Sequence, residues 1–89
     1  MVSPAPEPFR LSEHARHVIA ERAIRLEWVA ATLESPSRSE ADRDDAALLH
    51  ALRRIDDFGG RVLRVVYNPS LRPPLIVTAY FDRSMKDKM

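Results

Sequence analysis

An α+β fold, two N-terminal helices packed on one face of a three-stranded antiparallel β-meander, is the class that three observations predict. Apolar residues between Leu11 and Leu33 recur at helical spacing. The run Asp56-Asp57-Phe58-Gly59-Gly60 separates two segments able to pair as a hairpin. The segment Leu75-Ile76-Val77-Thr78-Ala79-Tyr80-Phe81 is dense in β-branched and aromatic residues.

Each element follows in order. Residues 1–8 carry Pro4, Pro6 and Pro8, which suit neither a helix interior nor a central strand, so an extended leader is expected, with the single domain spanning 9–83. Ser12 before Glu13 is an N-cap pattern: the hydroxyl accepts an orphan amide and the carboxylate faces the positive helix end. Leu11, Ala15, Val18, Ile19 and Arg22 form one stripe, placing the first helix at about Glu13 to Arg22. Leu26, Val29, Ala30 and Leu33 repeat the spacing beside Trp28, and Pro36 closes the second helix.

Residues 34–45 read as a solvated loop, since Glu34, Glu40, Asp42, Asp44 and Asp45 outnumber Arg38 and Arg43 and three serines are interleaved. Ala46 to Ile55 has helix-favouring residues, but the turn that follows and the β-branched Arg61 to Tyr67 beyond it make it a hairpin strand. Asn68 to Pro74 is the second loop, and residues 84–89 form a frayed basic tail.

With Asp56 to Gly60 as the loop, Ile55 lies opposite Arg61, Arg53 opposite Leu63, Ala51 opposite Val65 and Leu49 opposite Tyr67. The second hairpin is expected to put Val65 beside Val77 and Leu63 beside Ala79. One face then holds Leu49, Ala51, Ile55, Leu63, Val65, Tyr67, Leu75, Val77, Ala79 and Phe81, the surface to bury under helices. The other carries His50, Leu52, Arg54, Val62, Arg64, Val66, Ile76, Thr78 and Tyr80.

Charge and composition narrow the chemistry. The 89 residues hold 14 Lys+Arg against 13 Asp+Glu, yet 12 of the cations are Arg. Arg53, Arg54, Arg61, Arg64 and Arg72 meet only Asp56 and Asp57 in their stretch, a local excess that the acidic loop cancels in the total. The absence of Cys excludes disulfide scaffolds, thiolate nucleophiles and cysteine zinc sites. No apolar run approaches the roughly 18 residues of a membrane span, and cytoplasmic location is expected. His14 and His17 share a helix face but lack further metal ligands, so neither a metal nor a cofactor is expected. Adjacent Asp56 and Asp57 point apart in a turn and serve the hairpin rather than acid–base chemistry, while Trp28 belongs to helix packing.

The open face suits a phosphodiester, because Arg forks match phosphate oxygens and Tyr can stack on a base. His50, Arg54, Arg64 and Tyr80 are the candidate catalytic set, with Arg61, Thr78, Arg83 and Lys86 as candidate RNA contacts. An Arg-bearing sheet face that merely solvates itself is the competing reading.

The residues His14-Ala15, Arg22, Ile24, Val29, Leu33 and Pro36, then Arg61-Val62-Leu63-Arg64-Val65-Val66-Tyr67 and Ile76-Val77-Thr78-Ala79-Tyr80-Phe81, resemble the small bacterial family called domain of unknown function 4258. The likeness spans roughly residues 11–83. Members of that family look related to the RelE and BrnT ribonuclease toxins, whose helices cover one sheet face while the other meets RNA. The resemblance implies a toxin-type, metal-independent endoribonuclease acting through the ribose 2′-OH, with an antitoxin protein as partner. It also marks His14 and Arg22 as motif residues on the first helix, on the side away from the cationic face. Family members often carry Gly where Ala23 stands, and no fixed catalytic motif of the toxins transfers residue by residue. The alternatives are a non-catalytic RNA- or protein-binding domain and a module that pairs sheet edges into a homodimer.

Overall fold

A computed structural model describes residues 8–85 and 88. Two helices cover one face of a sheet that has five strands and is mixed, which corrects the expected three-stranded antiparallel meander. The strands are β1 (Arg10–Leu11), β2 (Arg38–Ala41), β3 (Leu49–Ile55), β4 (Arg61–Asn68) and β5 (Leu75–Phe81), in the spatial order β1-β5-β4-β3-β2. The central three make the expected antiparallel set, and the two additions lie at the edges.

Both additions come from segments whose side chains give no strand pattern. β1 runs parallel to β5, held by Arg10 N–H to the Pro74 carbonyl at 2.8 Å and Ser12 N–H to the Ile76 carbonyl at 2.9 Å. β2 forms within the acidic segment expected as a loop and pairs antiparallel with β3, setting Glu40 opposite His50 and Arg38 opposite Leu52. Its sequence, Arg-Ser-Glu-Ala, is short and polar, as suits an edge strand open to water.

Helix α1 spans Glu13–Glu21, and its cap is the anticipated one: the Ser12 hydroxyl accepts the Ala15 amide at 3.0 Å. The helix ends in a Schellman arrangement, with Ile24 N–H bonded to the Ile19 carbonyl at 2.9 Å and Ala23 N–H to that of Ala20 at 3.2 Å. This ending needs a left-handed residue after the cap, and Ala23 takes it with φ of 53°. The turn geometry for which glycine is best suited is therefore kept here by an alanine under strain. Helix α2 spans Leu26–Glu34, and its buried Thr32 donates its hydroxyl to the Trp28 carbonyl at 2.8 Å.

α1 lies along β5 and α2 along β3 and β4. Beneath them Ala15, Ile19, Ile24 and Val29 pack with Ile55, Leu63, Val65, Ile76 and Ala79 as the main core. The first hairpin has the expected register, Ile55 opposite Arg61 through Leu49 opposite Tyr67. The second does not: Val65 pairs with Ala79 and Leu63 with Phe81, two residues beyond the expected partners. Two causes add. Asn68 continues the strand to pair with Leu75, which shifts the register by one, and an irregularity between Val66 and Tyr67 shifts it by one more. The two shifts restore the original face from Thr78 onward but turn Ile76 into the helix-covered core, away from the open face on which it was expected.

The face away from the helices is not bare. Leu52 and Val62 are buried there with Met85, which arrives on a 3-10 turn at Arg83–Met85. Met85, assigned from sequence to the tail, thus packs onto the sheet, and Ser84 before it is exposed and hydrogen-bonded to Asp82; the leader residues 1–7 and Lys86 lie outside the described residues.

Candidate functional site

The strand register lines up side chains in rows across the face opposite the helices. Glu40, His50, Val66 and Thr78 share one row, and Arg38, Leu52, Arg64 and Tyr80 the next. His50 and Arg64 lie diagonally across neighbouring strands, close enough for their side chains to meet.

Arg64 Nη1 donates to His50 Nδ1 at 2.8 Å. A guanidinium has only donors, so His50 Nδ1 is an acceptor without a proton, and the ring is the neutral tautomer protonated at Nε2. That Nε2–H donates to Asp42 Oδ1 at 2.6 Å. On the far side of Arg64, Nε donates to Asp82 Oδ2 at 2.9 Å, Nη2 stands 2.8 Å from the same oxygen as an ion pair, and Glu40 Oε2 stands 3.6 Å from Nη1. The result is a continuous chain Asp42, His50, Arg64, Asp82, largely withdrawn from water: the Arg64 side chain is 12% exposed and that of Asp82 14%.

The two aspartates are fixed in the same way. Each leaves a strand, Asp42 from β2 and Asp82 from β5, and uses one carboxylate oxygen on the turn that follows. Asp42 Oδ2 accepts the amides of Asp44 and Asp45 at 3.1 and 2.9 Å, while Asp82 Oδ1 accepts the Ser84 amide at 3.0 Å and hydroxyl at 2.6 Å. The other oxygen is left for His50 or Arg64. The hydrogen bond from His50, helped by the two turn amides, holds the Asp42 carboxyl below its ordinary pKa. The Ser84 hydroxyl and then Arg64 do the same for Asp82, against the opposing effect of burial.

Beside this chain Glu40, Ala41, Asp42, Arg43, Asp44, His50 and Arg64 line an open cleft of about 520 Å³. Chemically the arrangement offers an unprotonated ring nitrogen next to a fixed guanidinium, with a carboxylate behind the ring to stabilise its charged form. Arg64 keeps further N–H groups on its terminal nitrogens, since its five donors are only partly engaged.

Of the residues singled out from sequence, His50 and Arg64 are joined, Tyr80 pairs with Arg64 across the strands, and Thr78 is in the His50 row. Arg54 is not brought to them. It occupies the hairpin end, with Nε 3.2 Å from Asp56 Oδ1 and its guanidinium against Gly60, where a Cβ would lie 2.7 Å from Nη2. Arg61 and Arg83 border a separate cleft with Gly59, Val62, Phe81 and Asp82. His14 is exposed on α1, away from the open face. Arg22 donates from Nη1 to the Ala79 carbonyl at 2.8 Å, tying α1 to β5 and giving this motif residue a structural task.

Asp42, Asp82 and Glu40 were missed. Asp42-x-Asp44 and Asp82-x-Ser84 are legible as side-chain-capped turns after strands. Nothing in that local pattern tells which basic groups the free oxygens will reach.

Residues 11–81 match the family model described as Domain of unknown function (DUF4258). The chain belongs to this family. The match to DUF4258 takes in α1, α2 and all five strands except the first residue of β1. No curated protein and no solved structure matches the chain significantly. Among the described residues of this DUF4258 domain there is no group of three or more acidic or histidine side chains arranged to hold a metal ion, and no helix is long and apolar enough to cross a membrane.

Proposed function

We propose that this protein is a metal-independent endoribonuclease of toxin type, in which His50 moves the proton and Arg64 meets the phosphate. The observation that carries the reading is the proton-free His50 Nδ1 held 2.8 Å from the Arg64 guanidinium, with Asp42 on the opposite ring nitrogen. When a phosphodiester enters, Arg64 turns an N–H toward its oxygen, and Nδ1 is released to take the proton of the neighbouring ribose 2′-OH. The 2′ oxygen bonds to phosphorus and the bond to the 5′ oxygen breaks, leaving a cyclic 2′,3′-phosphate. The departing oxygen takes a proton from imidazolium or from Tyr80, across the strand from Arg64. Asp42 stabilises the imidazolium between these steps. Arg54, paired with Asp56 at the hairpin end, is left out of the site. The resemblance to the RelE and BrnT toxins, also a proposal, supports cytoplasmic action restrained by an antitoxin protein.

A second reading has its own observation. Glu40, Asp42 and Asp82 surround one Arg and a neutral His, so the cluster carries net negative charge and repels a phosphate. In this reading the chain of hydrogen bonds is structural and the domain binds RNA or protein, including a second copy of itself, without cleaving. The test is cleavage of single-stranded RNA in chelator by wild type, His50→Ala and Asp42→Asn, with folding checked by circular dichroism. Cleavage by wild type that falls at least about 100-fold in folded His50→Ala supports the enzyme. No cleavage selects the structural reading, and equal cleavage by all three overturns the His50 site.

A further inference from the structure

We propose that the hairpin end of the sheet is a subsite for one nucleotide of single-stranded RNA, with the phosphate on Arg61 and Arg83 and the base against Phe81. The inference rests on the reading above that the ligand is RNA, but uses a different part of the surface.

β5 ends at Phe81, the Asp82 N–H still bonds to the Val62 carbonyl at 2.8 Å, and Arg83 opens the 3-10 turn that follows, so that Arg61 and Arg83 border one cleft. Among the described residues neither forms an ion pair, and the one carboxylate lining the same cleft, Asp82, is already engaged by Arg64 and Ser84. A cationic pair kept without a counter-ion is the arrangement that an anionic ligand would complete. The cleft is about 390 Å³, room for a nucleotide, and Phe81 forms part of its wall.

The aromatic side is built as firmly. Phe81 meets Phe58 in a tilted contact at 4.9 Å between centroids, and Trp28 lies 5.2 Å from Phe58 and 6.0 Å from Phe81. Phe58 is nevertheless 39% exposed, and the Arg61 guanidinium rests 4.8 Å above its ring. Arg61 is thereby oriented before any ligand arrives. A phosphate fork beside an aromatic wall is the chemistry that single-stranded nucleic acid sites use. Arg61 is three residues along β4 from Arg64, roughly 10 Å at the ordinary strand rise, and the odd spacing sets the two side chains on opposite faces, so the subsite stands apart from His50 and Arg64.

The experiment measures anisotropy of a labelled 2′-O-methyl hexanucleotide, which lacks the attacking hydroxyl and cannot be cleaved. It is titrated against wild type and the double variant Arg61→Gln, Arg83→Gln, with Trp28 emission followed in parallel. Wild type is expected to bind and to change Trp28 emission. The double variant should bind about tenfold more weakly, the effect of removing charge-assisted bonds to one phosphate. Its slope of log affinity against log salt should fall by about 0.7 for each phosphate that the arginines no longer neutralise. Both arginines are exposed and neither is in an ion pair among the described residues, so the variant should remain folded, with circular dichroism as the check. Equal binding by wild type and the double variant, or no binding by wild type, overturns the subsite. Intact binding with no cleavage of ordinary RNA retires the ribonuclease and leaves the subsite standing. Cleavage with unchanged affinity in the double variant retires the subsite alone.

Discussion

The two faces of the sheet are organised by different forces. Under the helices, Leu63, Val65, Ile76 and Ala79 are fully buried among other apolar side chains, and burial of hydrocarbon decides the packing. On the other face the buried apolar residues include Val66 and a small cluster of Leu52, Val62 and Met85, and beside them a chain of charged hydrogen bonds links the residue after β2, β3, β4 and the residue after β5. The covered face tolerates little change in shape. The other face depends on charges matching, so it answers to pH and to the removal of a single partner.

The sharpest contrast comes from truncating one residue on each face. Leu63→Ala, at a fully buried position, should cost about 3–4 kcal/mol in urea unfolding, the transfer term plus a cavity. Arg64→Leu should cost about 2–3 kcal/mol, because it leaves Asp82 and Glu40 without a counter-charge and His50 Nδ1 without a donor. A loss well under 1 kcal/mol for Arg64→Leu would mean that the polar chain is ornamental to the fold.

Acid should separate the faces next. Asp42 and Asp82 have folded pKa values depressed below 3.8, so their stabilisation is present above that value and disappears as pH falls through the lower, folded values. Thermal melts of wild type should drop in that acid range, and those of Asp82→Asn should drop less. Equal slopes in both proteins would detach the aspartate from the acid response.

The smallest expected effect lies at the end of α1. Ala23→Gly should raise stability by about 0.5–1 kcal/mol, since glycine relieves the left-handed strain at φ 53° by more than it adds to unfolded-chain freedom. A decrease would show that the alanine conformation is comfortable after all.

What could be read from the sequence divides along the same line. The α1 cap at Ser12, the helical stripes and the register of the first hairpin follow from local chemistry and periodicity, and the structure has them. β1 has two residues and its partner is more than sixty positions away, so no local pattern announces it. β2 is polar on both sides and reads as a loop. The displaced second hairpin depends on an irregularity at Val66 and Tyr67 that alternation cannot reveal, because two single-residue shifts cancel in parity. His50, Arg64 and Tyr80 share a face by parity alone. Asp42 and Asp82 do not announce their partners, since each reaches the face only when its turn folds back on the sheet.

That folding back changes the meaning of the charge pattern. The acidic segment and the arginine-rich hairpin are separated along the chain, yet β2 brings Glu40 and Asp42 onto His50 and Arg64. Neutralisation is therefore made in space as well as in the total. At the hairpin end, Arg61 and Arg83 form no ion pair among the described residues.

The state of the His50 ring tests the polar chain most directly. A long-range nitrogen–proton NMR spectrum of the imidazole near neutral pH should show a single neutral tautomer, protonated at Nε2 and bare at Nδ1, that becomes a tautomer average in Arg64→Leu. A wild-type ring protonated at Nδ1, or averaging freely between tautomers, would contradict the Asp42, His50, Arg64 chain and the proton transfer built on it.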